Sequence, residues 1–516
     1  MELTPPTLFR RVSVSVFWNV LLLPVVTVCT LATSVLVRRG FGLNSGGYDI
    51  LLGLVSTVLF YSSLGIPSSL MKTLPEREAA GARAAVVRLL WRACGARFTV
   101  LLAFVLALNV FAHPIAERLH LGPRGTSYVH VLGALIVVRA AIELIVYVLY
   151  AFLAQFQVNL LILLQALLDP SFVAMALLLH YGIGGVVLAL AASGAAVTLV
   201  GVVSASHILR RLPSAPRPDR SVVAPSAAWK FSLFDYVVEL CRYFGSPDFS
   251  RAALGAVLID RGLVAIFAVG FYLAFMVVNS IASIFRGVYR PMFARLRAER
   301  DVSEISRAFA AISKVQVLLL VPGGVGLAIM AADYVPLLYT STFSPAVSVT
   351  RILVVLLCIE TAFNQAIIIL SVDERYSTVL TAMAIQMAAA PLLLAAAVFV
   401  GIEAAAFVMG LGRAATAAVA YLACRRRYGL RFPWRFTAKV FAISAVMASG
   451  LLGGRLIWPA SFAEAATLTV FGALIFGLGL RIGHVLDGED LDLVRRANLP
   501  GGTWILRFLG VRRSTS

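Results

Sequence analysis

The chain has 516 residues, 60% hydrophobic and 13% charged, with 44 Lys and Arg against 25 Asp and Glu. That is the composition of a membrane protein, and the net charge of +19 does not indicate nucleic acid, because the arginines flank long apolar runs instead of forming a folded basic domain. Five isolated Cys and six His without ligand spacing imply neither disulfides nor a metal, and no Walker loop, dinucleotide glycine fingerprint, nucleophile elbow or zinc motif occurs, so no cofactor and no enzyme activity are expected.

About fourteen segments carry the roughly 18 to 26 mostly apolar residues that a helix needs to cross about 30 Å of hydrocarbon. In chain order they run Ser13 to Leu36, Tyr48 to Met71, Phe98 to Ala112, Tyr128 to Leu153, Leu160 to His180, Val186 to Leu209, Trp229 to Leu258, Leu263 to Phe285, Val315 to Val335, Val347 to Val372, Ser377 to Val400, Ala404 to Cys424, Val440 to Trp458 and Ala463 to Ile482. The alternating ten-residue strands of a membrane barrel are absent, so the fold class is an all-α polytopic membrane protein.

The basic residues sort by face. Thirty-three fall at the N-terminus and in every second gap, while Arg38, Arg39, Arg118, Arg124 and Arg261 fall in the others. Positively charged loops resist translocation, so both termini are expected in the cytoplasm, with anionic lipid headgroups as partners of the basic gaps. The stretch Ala79 to Arg97 reads as an amphipathic interfacial helix, with Arg88 and Arg92 opposite Val87, Leu90 and Trp91, and the tail from Asp487 reads similarly. No cleavable signal peptide is expected, since the first span is too long and no small-residue cleavage site follows it.

The exits of spans two and eight match: an apolar helix, a basic residue, Pro75 or Pro291, an acidic-basic stretch, an amphipathic segment and a further apolar helix. An offset near 216 residues, echoed by Asp49 and Asp260, suggests duplication of a six-span unit, and an even number of spans makes the repeats parallel. This divides the chain into a lobe over 1–210, a Pro-rich linker over 211–228, a second lobe over 229–424, spans thirteen and fourteen over 425–486, and a cytoplasmic tail over 487–516.

The stretch from Asp260, DRGLVAIFAVGFYLAF, then VYRPMFARL, ERDVSEISRAF, LLLVPGGVGLAI and YVPLLYTSTFSPAV, resembles polysaccharide flippases of the multidrug, oligosaccharidyl-lipid and polysaccharide exporter superfamily. Leu74, Pro75 and Glu76 are similar to that family's pattern in the first half. The resemblance implies a flippase of the bacterial inner membrane for undecaprenyl-pyrophosphate-linked oligosaccharide repeat units, working by alternating access of two lobes around a cavity. It also implies assembly proteins such as a polysaccharide polymerase as partners.

Nine ionisable residues lie well inside spans: Arg139, Glu143, Asp169, Glu239, Arg242, Asp248, Arg251, Glu360 and Arg413. At about 2.5 to 3.5 kcal/mol each on insertion scales they cannot all face lipid. Arg139, Arg242, Arg251 and Arg413 are the candidate cavity cations for a pyrophosphate, since a guanidinium offers a planar bidentate fork that stays charged. Glu143, Asp169, Glu239, Asp248 and Glu360 are the candidates for ion coupling. Against these stand structural readings: Arg139 and Glu143, four apart, can neutralise each other; Asp169 can satisfy backbone groups freed by Pro170; Arg413 can serve packing between Gly412 and Ala414; Arg351 can snorkel. Span seven is the most polar, with Glu239, Arg242 and Tyr243 on one face and Gly245, Ser246 and Pro247 interrupting the helix, the pattern of a transport site or hinge. Glu360 with Asn364, and Asn279 with Ser283, make further polar faces.

A multidrug cation exporter of the same superfamily is the nearest alternative, but it calls for a net acidic cavity. A membrane-embedded glycosyltransferase or polymerase calls for a longer outer segment than the gap from His113 to Ser127. A passive scaffold would have no use for the buried charges.

Overall fold

The computed structural model describes residues 5–79, 83–152, 154–212, 225–298, 302–457, 461–483 and 485. Linker residues Pro213, Pro216 and Pro218, the tail from Asp487, and the side chains of Asn19, Glu76, Asp235, Ser283 and Pro291 lie outside what is described. Among the described residues the chain is helical throughout, without strands. Helix α1 (Pro5–Phe41) passes through one 3-10 turn, Gly42–Ser45, into α2 (Gly46–Ser63) and then α3 (Ile66–Ala79). There follow α4 (Arg83–Val110), a short α5 (Ala112–Arg118), α6 (Gly125–Ala151), α7 (Gln155–Leu178), α8 (Gly182–Arg210), α9 (Pro225–Phe244) and α10 (Pro247–Val257). The remainder comprises α11 (Arg261–Ala298), α12 (Val302–Tyr339), α13 (Ala346–Phe363), α14 (Gln365–Val372), α15 (Tyr376–Phe399), α16 (Ile402–Tyr428), α17 (Trp434–Ile457) and α18 (Phe462–Ile482).

Twelve stretches among the described residues are long and apolar enough to cross a membrane, and they correspond to the expected spans. The count falls two short of fourteen because spans one and two form one helical stretch, Pro24–Ser63, and because span seven is cut into α9 and α10. Several boundaries differ from expectation: span two breaks between α2 and α3, and α11 and α12 run beyond their expected spans. The amphipathic segment and span three are a single 28-residue helix, α4, which holds no proline and one glycine, Gly95, a weak helix former at about 1 kcal/mol. Leu90 is buried as expected, but Trp91, expected on the same face, is exposed like Arg88 and Arg92.

The chain forms two compact units, residues 21–268 with 390–401, and residues 1–20, 269–389 and 402–516. In the first, α6 is central and packs on α8, α3, α2 and α4, while α9 and α10 lie along α3 and α2. Lipid is as apolar as a leucine core, so contact between spans depends on close packing and polar pairs more than on burial. At one end of this unit Leu70, Leu74, Val86, Leu144, Val148 and Leu212 interlock. In the second unit α13 packs on α16, and α12 holds α17 and α18 through Met330, Met447, Leu451 and Leu468. The opposite faces of α17 and α18 expose Phe441, Val446, Leu452, Val470, Leu474 and Leu478, the stripe a lipid-facing helix pair presents. Ser461 and Glu464 start α18 with a reciprocal capping box, satisfying two backbone donors.

Candidate functional site

Arg139 and Glu143 do not neutralise each other, contrary to the reading of their spacing. Arg139 Nη2 lies 3.4 Å from Asp169 Oδ2 on α7, and the other Asp169 oxygen accepts a hydrogen bond from Ser193 on α8. Glu143 instead accepts from Arg97 Nη2 on α4 at 2.5 Å. The reason is charge conservation in a medium of low dielectric. An Arg139–Glu143 pair along one helix would leave Arg97 and Asp169 stranded, whereas pairing across helices buries two neutral couples. Asp169 is thus engaged by side chains of α6 and α8, and Pro170 is not what holds it.

In span seven, α9 ends at Phe244 and Ser246 caps α10, accepting from the Phe249 amide at 3.1 Å with Pro247 as the first helical residue. The expected interruption is therefore one helix ending and another starting, with proline where its missing donor costs nothing. Before the break, Glu239 and Arg242 pair at 2.7 Å and both stay partly exposed. Tyr243, expected on their face, points elsewhere: its hydroxyl is 2.5 Å from Thr57 Oγ1 and its ring stacks on Phe60 at 4.6 Å. After the break, Arg251 lies 3.2 Å from Asp248 and 4.0 Å from Asp49. Asp49 is buried and takes both oxygens to Arg38 Nη2, at 2.6 and 2.8 Å. Gly53 permits this approach, since a Cβ there would sit 2.7 Å from the Ala252 amide nitrogen and 2.8 Å from the Asp248 carbonyl.

In the second unit, Arg413 on α16 grips Glu360 on α13 with a two-pronged contact, Nε at 2.7 Å and Nη2 at 2.9 Å. Gly410, one turn earlier, lets α13 come close: a Cβ would meet Leu356 Cδ1 at 2.6 Å. The pair borders a cavity of about 150 Å³ also lined by Asn279, Gln316, Asn364 and Gln365, so two of the polar faces expected in spans eight and ten converge. Gln365 Nε2 donates to Gln316 Oε1 at 2.6 Å. Arg351 donates to the Ala328 carbonyl, and Arg455 on α17 pairs with Asp333 on α12 at 2.7 Å.

Just beyond α14, outside the spans, Asp373 gathers Arg297 at 3.0 Å, Arg375 and Arg427 at 3.3 Å and the Tyr428 hydroxyl at 2.5 Å. Arg297 also donates to the Val372 carbonyl. Partial burial pushes the Asp373 carboxyl up, but the Tyr428 and Arg375 hydrogen bonds and the Arg297 and Arg427 charges outweigh it and hold the group below its ordinary 3.8.

The two candidate sets thus turn out to be partners: Arg139 with Asp169, Arg242 with Glu239, Arg251 with Asp248, Arg413 with Glu360. Glu143 alone takes an arginine from outside them. Sequence reasoning placed Arg97 in a basic gap and missed the Arg38–Asp49 and Asp333–Arg455 pairs. Among the described residues no three His, Cys, Asp or Glu side chains converge as metal ligands do.

No protein family and no curated protein matches the sequence. Solved structures match the fold. The lipid II flippase MurJ in an inward closed conformation aligns over 90% of this chain and 99% of its own, with a TM-score of 0.67 at 12% identity. An inward-facing MATE multidrug transporter of the MOP superfamily aligns over 78% of this chain and 94% of its own, with a TM-score of 0.63 at 14% identity. A point mutant of the Vibrio cholerae MATE transporter VcmN aligns over 81% of this chain and 96% of its own, with a TM-score of 0.57 at 16% identity. The chain is a multi-pass membrane protein with the fold of the MOP-superfamily transporters, as its sequence resemblance implied.

Proposed function

We propose that this chain flips undecaprenyl-pyrophosphate-linked oligosaccharide repeat units across the bacterial inner membrane, by alternating access of lobes 1–210 and 229–424. The observation that carries the reading is the extent of the match to the lipid II flippase: it takes in 90% of this chain, against 78% to 83% for the multidrug transporters. Multidrug export is the second reading. The fold matches to multidrug transporters favour it, and the ion pairs fit either cargo, since a cationic drug would displace an arginine from the pair where a pyrophosphate would displace the acid.

Accessibility separates the four candidate cations. Arg242 and Arg139 are 45% and 31% exposed, Arg251 and Arg413 only 18% and 14%. Arg242 and Arg139 are the residues to meet the pyrophosphate, whose oxygens replace a carboxylate in the guanidinium fork. The displaced Glu239 or Asp169 is then free to meet the coupling ion, which is how the ion-coupling candidates enter the cycle. Arg251 and Arg413 hold helices. Anionic lipids and a polysaccharide polymerase are the proposed partners, with both termini in the cytoplasm.

The test uses purified protein in vesicles carrying a fluorescent short-chain prenyl-pyrophosphate disaccharide, with ethidium flux measured in parallel. Protein-dependent movement of the disaccharide lipid without ethidium flux is expected. Ethidium flux without movement of the lipid would overturn the reading in favour of drug export.

A further inference from the structure

The cavity beside Glu360 and Arg413 differs in chemistry from the other polar sites. Its charges cancel: both Glu360 oxygens are bound by Arg413, leaving neither a free carboxylate for a cation nor an open fork for a phosphate. What remains facing it is amide, from Asn279, Gln316, Asn364 and Gln365. Gln365 is 1% exposed and its Oε1 has no hydrogen-bond partner among the described residues, although its Nε2 is bound to Gln316. A buried amide oxygen without a donor is costly, and a functional site recovers that cost when its ligand supplies the donor.

A hydroxyl is such a donor. Carboxamides pair with vicinal hydroxyls because each offers a donor and an acceptor side by side, and Phe275 adds an aromatic ring to the lining for the apolar face of a sugar. A cavity of about 150 Å³ holds a six-atom benzene ring, so a pyranose, with about twice as many heavy atoms, enters by one edge of its ring and leaves its remaining hydroxyls at the open side. We infer that this cavity is a saccharide subsite that takes one neutral sugar ring of the cargo, with Gln365 Oε1 accepting from a ring hydroxyl. Its physiological ligand rests on the flippase reading, whereas sugar binding is measurable by itself.

Saturation-transfer NMR on the full chain in nanodiscs, with N-acetylglucosamine and the methyl glycosides of glucose, galactose and mannose as probes, tests this. Transfer to ring protons of at least one probe is expected, weakened about tenfold in affinity by Gln365→Leu, the loss of one good hydrogen bond. Ile368→Trp, which fills the cavity from another wall and leaves the amides in place, is expected to abolish it. Gly95→Ala, open to space on α4, is expected to leave it intact. No transfer with any probe, or transfer that survives both Gln365→Leu and Ile368→Trp, overturns the subsite even if the lipid-linked disaccharide still moves. Glycoside binding without movement of that lipid would instead sink the flippase reading and leave the sugar site standing.

Discussion

Two arginines in one unit have opposite energetics. Arg97 is fully buried but its partner Glu143 is 36% exposed, so Arg97→Ala strands a partly accessible carboxylate and is expected to cost about 1 to 3 kcal/mol, below the range for a fully buried pair, whereas Arg97→Leu with Glu143→Leu removes both charges and recovers most of that. Arg242 pairs at a half-exposed site, where an ion pair is worth about 1 kcal/mol or less, so Arg242→Ala is expected to keep its thermal midpoint while transport falls, with Arg242→Lys restoring transport only in part. Thermal unfolding in detergent and the vesicle assay check the two expectations; equal thermal losses for Arg97→Ala and Arg242→Ala would refute the distinction. The sequence made the intramembrane charges legible one by one. Their partners were not, because Arg139 chooses Asp169 over Glu143 only when Arg97, on the separate helix α4, claims Glu143 first.

Helix α10 begins at a cap and lies against α2 with almost no clearance. Sequence patterning located the break at Gly245 to Pro247, since proline and the Ser cap act locally; it was blind to the Tyr243 rotation, which Thr57 and Phe60 on a distant helix decide. Gly53→Ala is expected to force α2 and α10 apart and destabilise the fold by about 1 to 3 kcal/mol, as overpacking does, while Gly95→Ala, open to space on α4, is expected to stabilise it. Paired melting curves decide this, and a neutral Gly53→Ala would mean the helices separate freely. The α14 to α15 turn yields a pH prediction. Asp373 is held below its ordinary 3.8, so its contribution to stability is present above that value and disappears as pH falls through the lower folded value. Acid titration of the melting point should therefore show a downward limb below about pH 4 that Asp373→Asn flattens.

Over the whole chain, apolar length carried most of the architecture, and the apolar runs correspond to helices because a chain in lipid must satisfy its own backbone. The amide cavity escaped notice because Gln316 and Gln365 lie on different spans and carry no charge to flag them. The internal pairing of the charges also has an electrical consequence. An arginine that moves together with its own counter-acid carries little net charge across the membrane when helices rearrange, so the paired residues make a poor voltage sensor by themselves. A pyrophosphate cargo is different: each negative charge leaving an inside-negative cell runs down about 2.3 kcal/mol per 100 mV. Imposing a potassium diffusion potential across the vesicles should accordingly speed outward movement of the pyrophosphate lipid and leave an uncharged prenyl glycoside unaffected, making the membrane battery, acting on the cargo, a source of direction for the cycle.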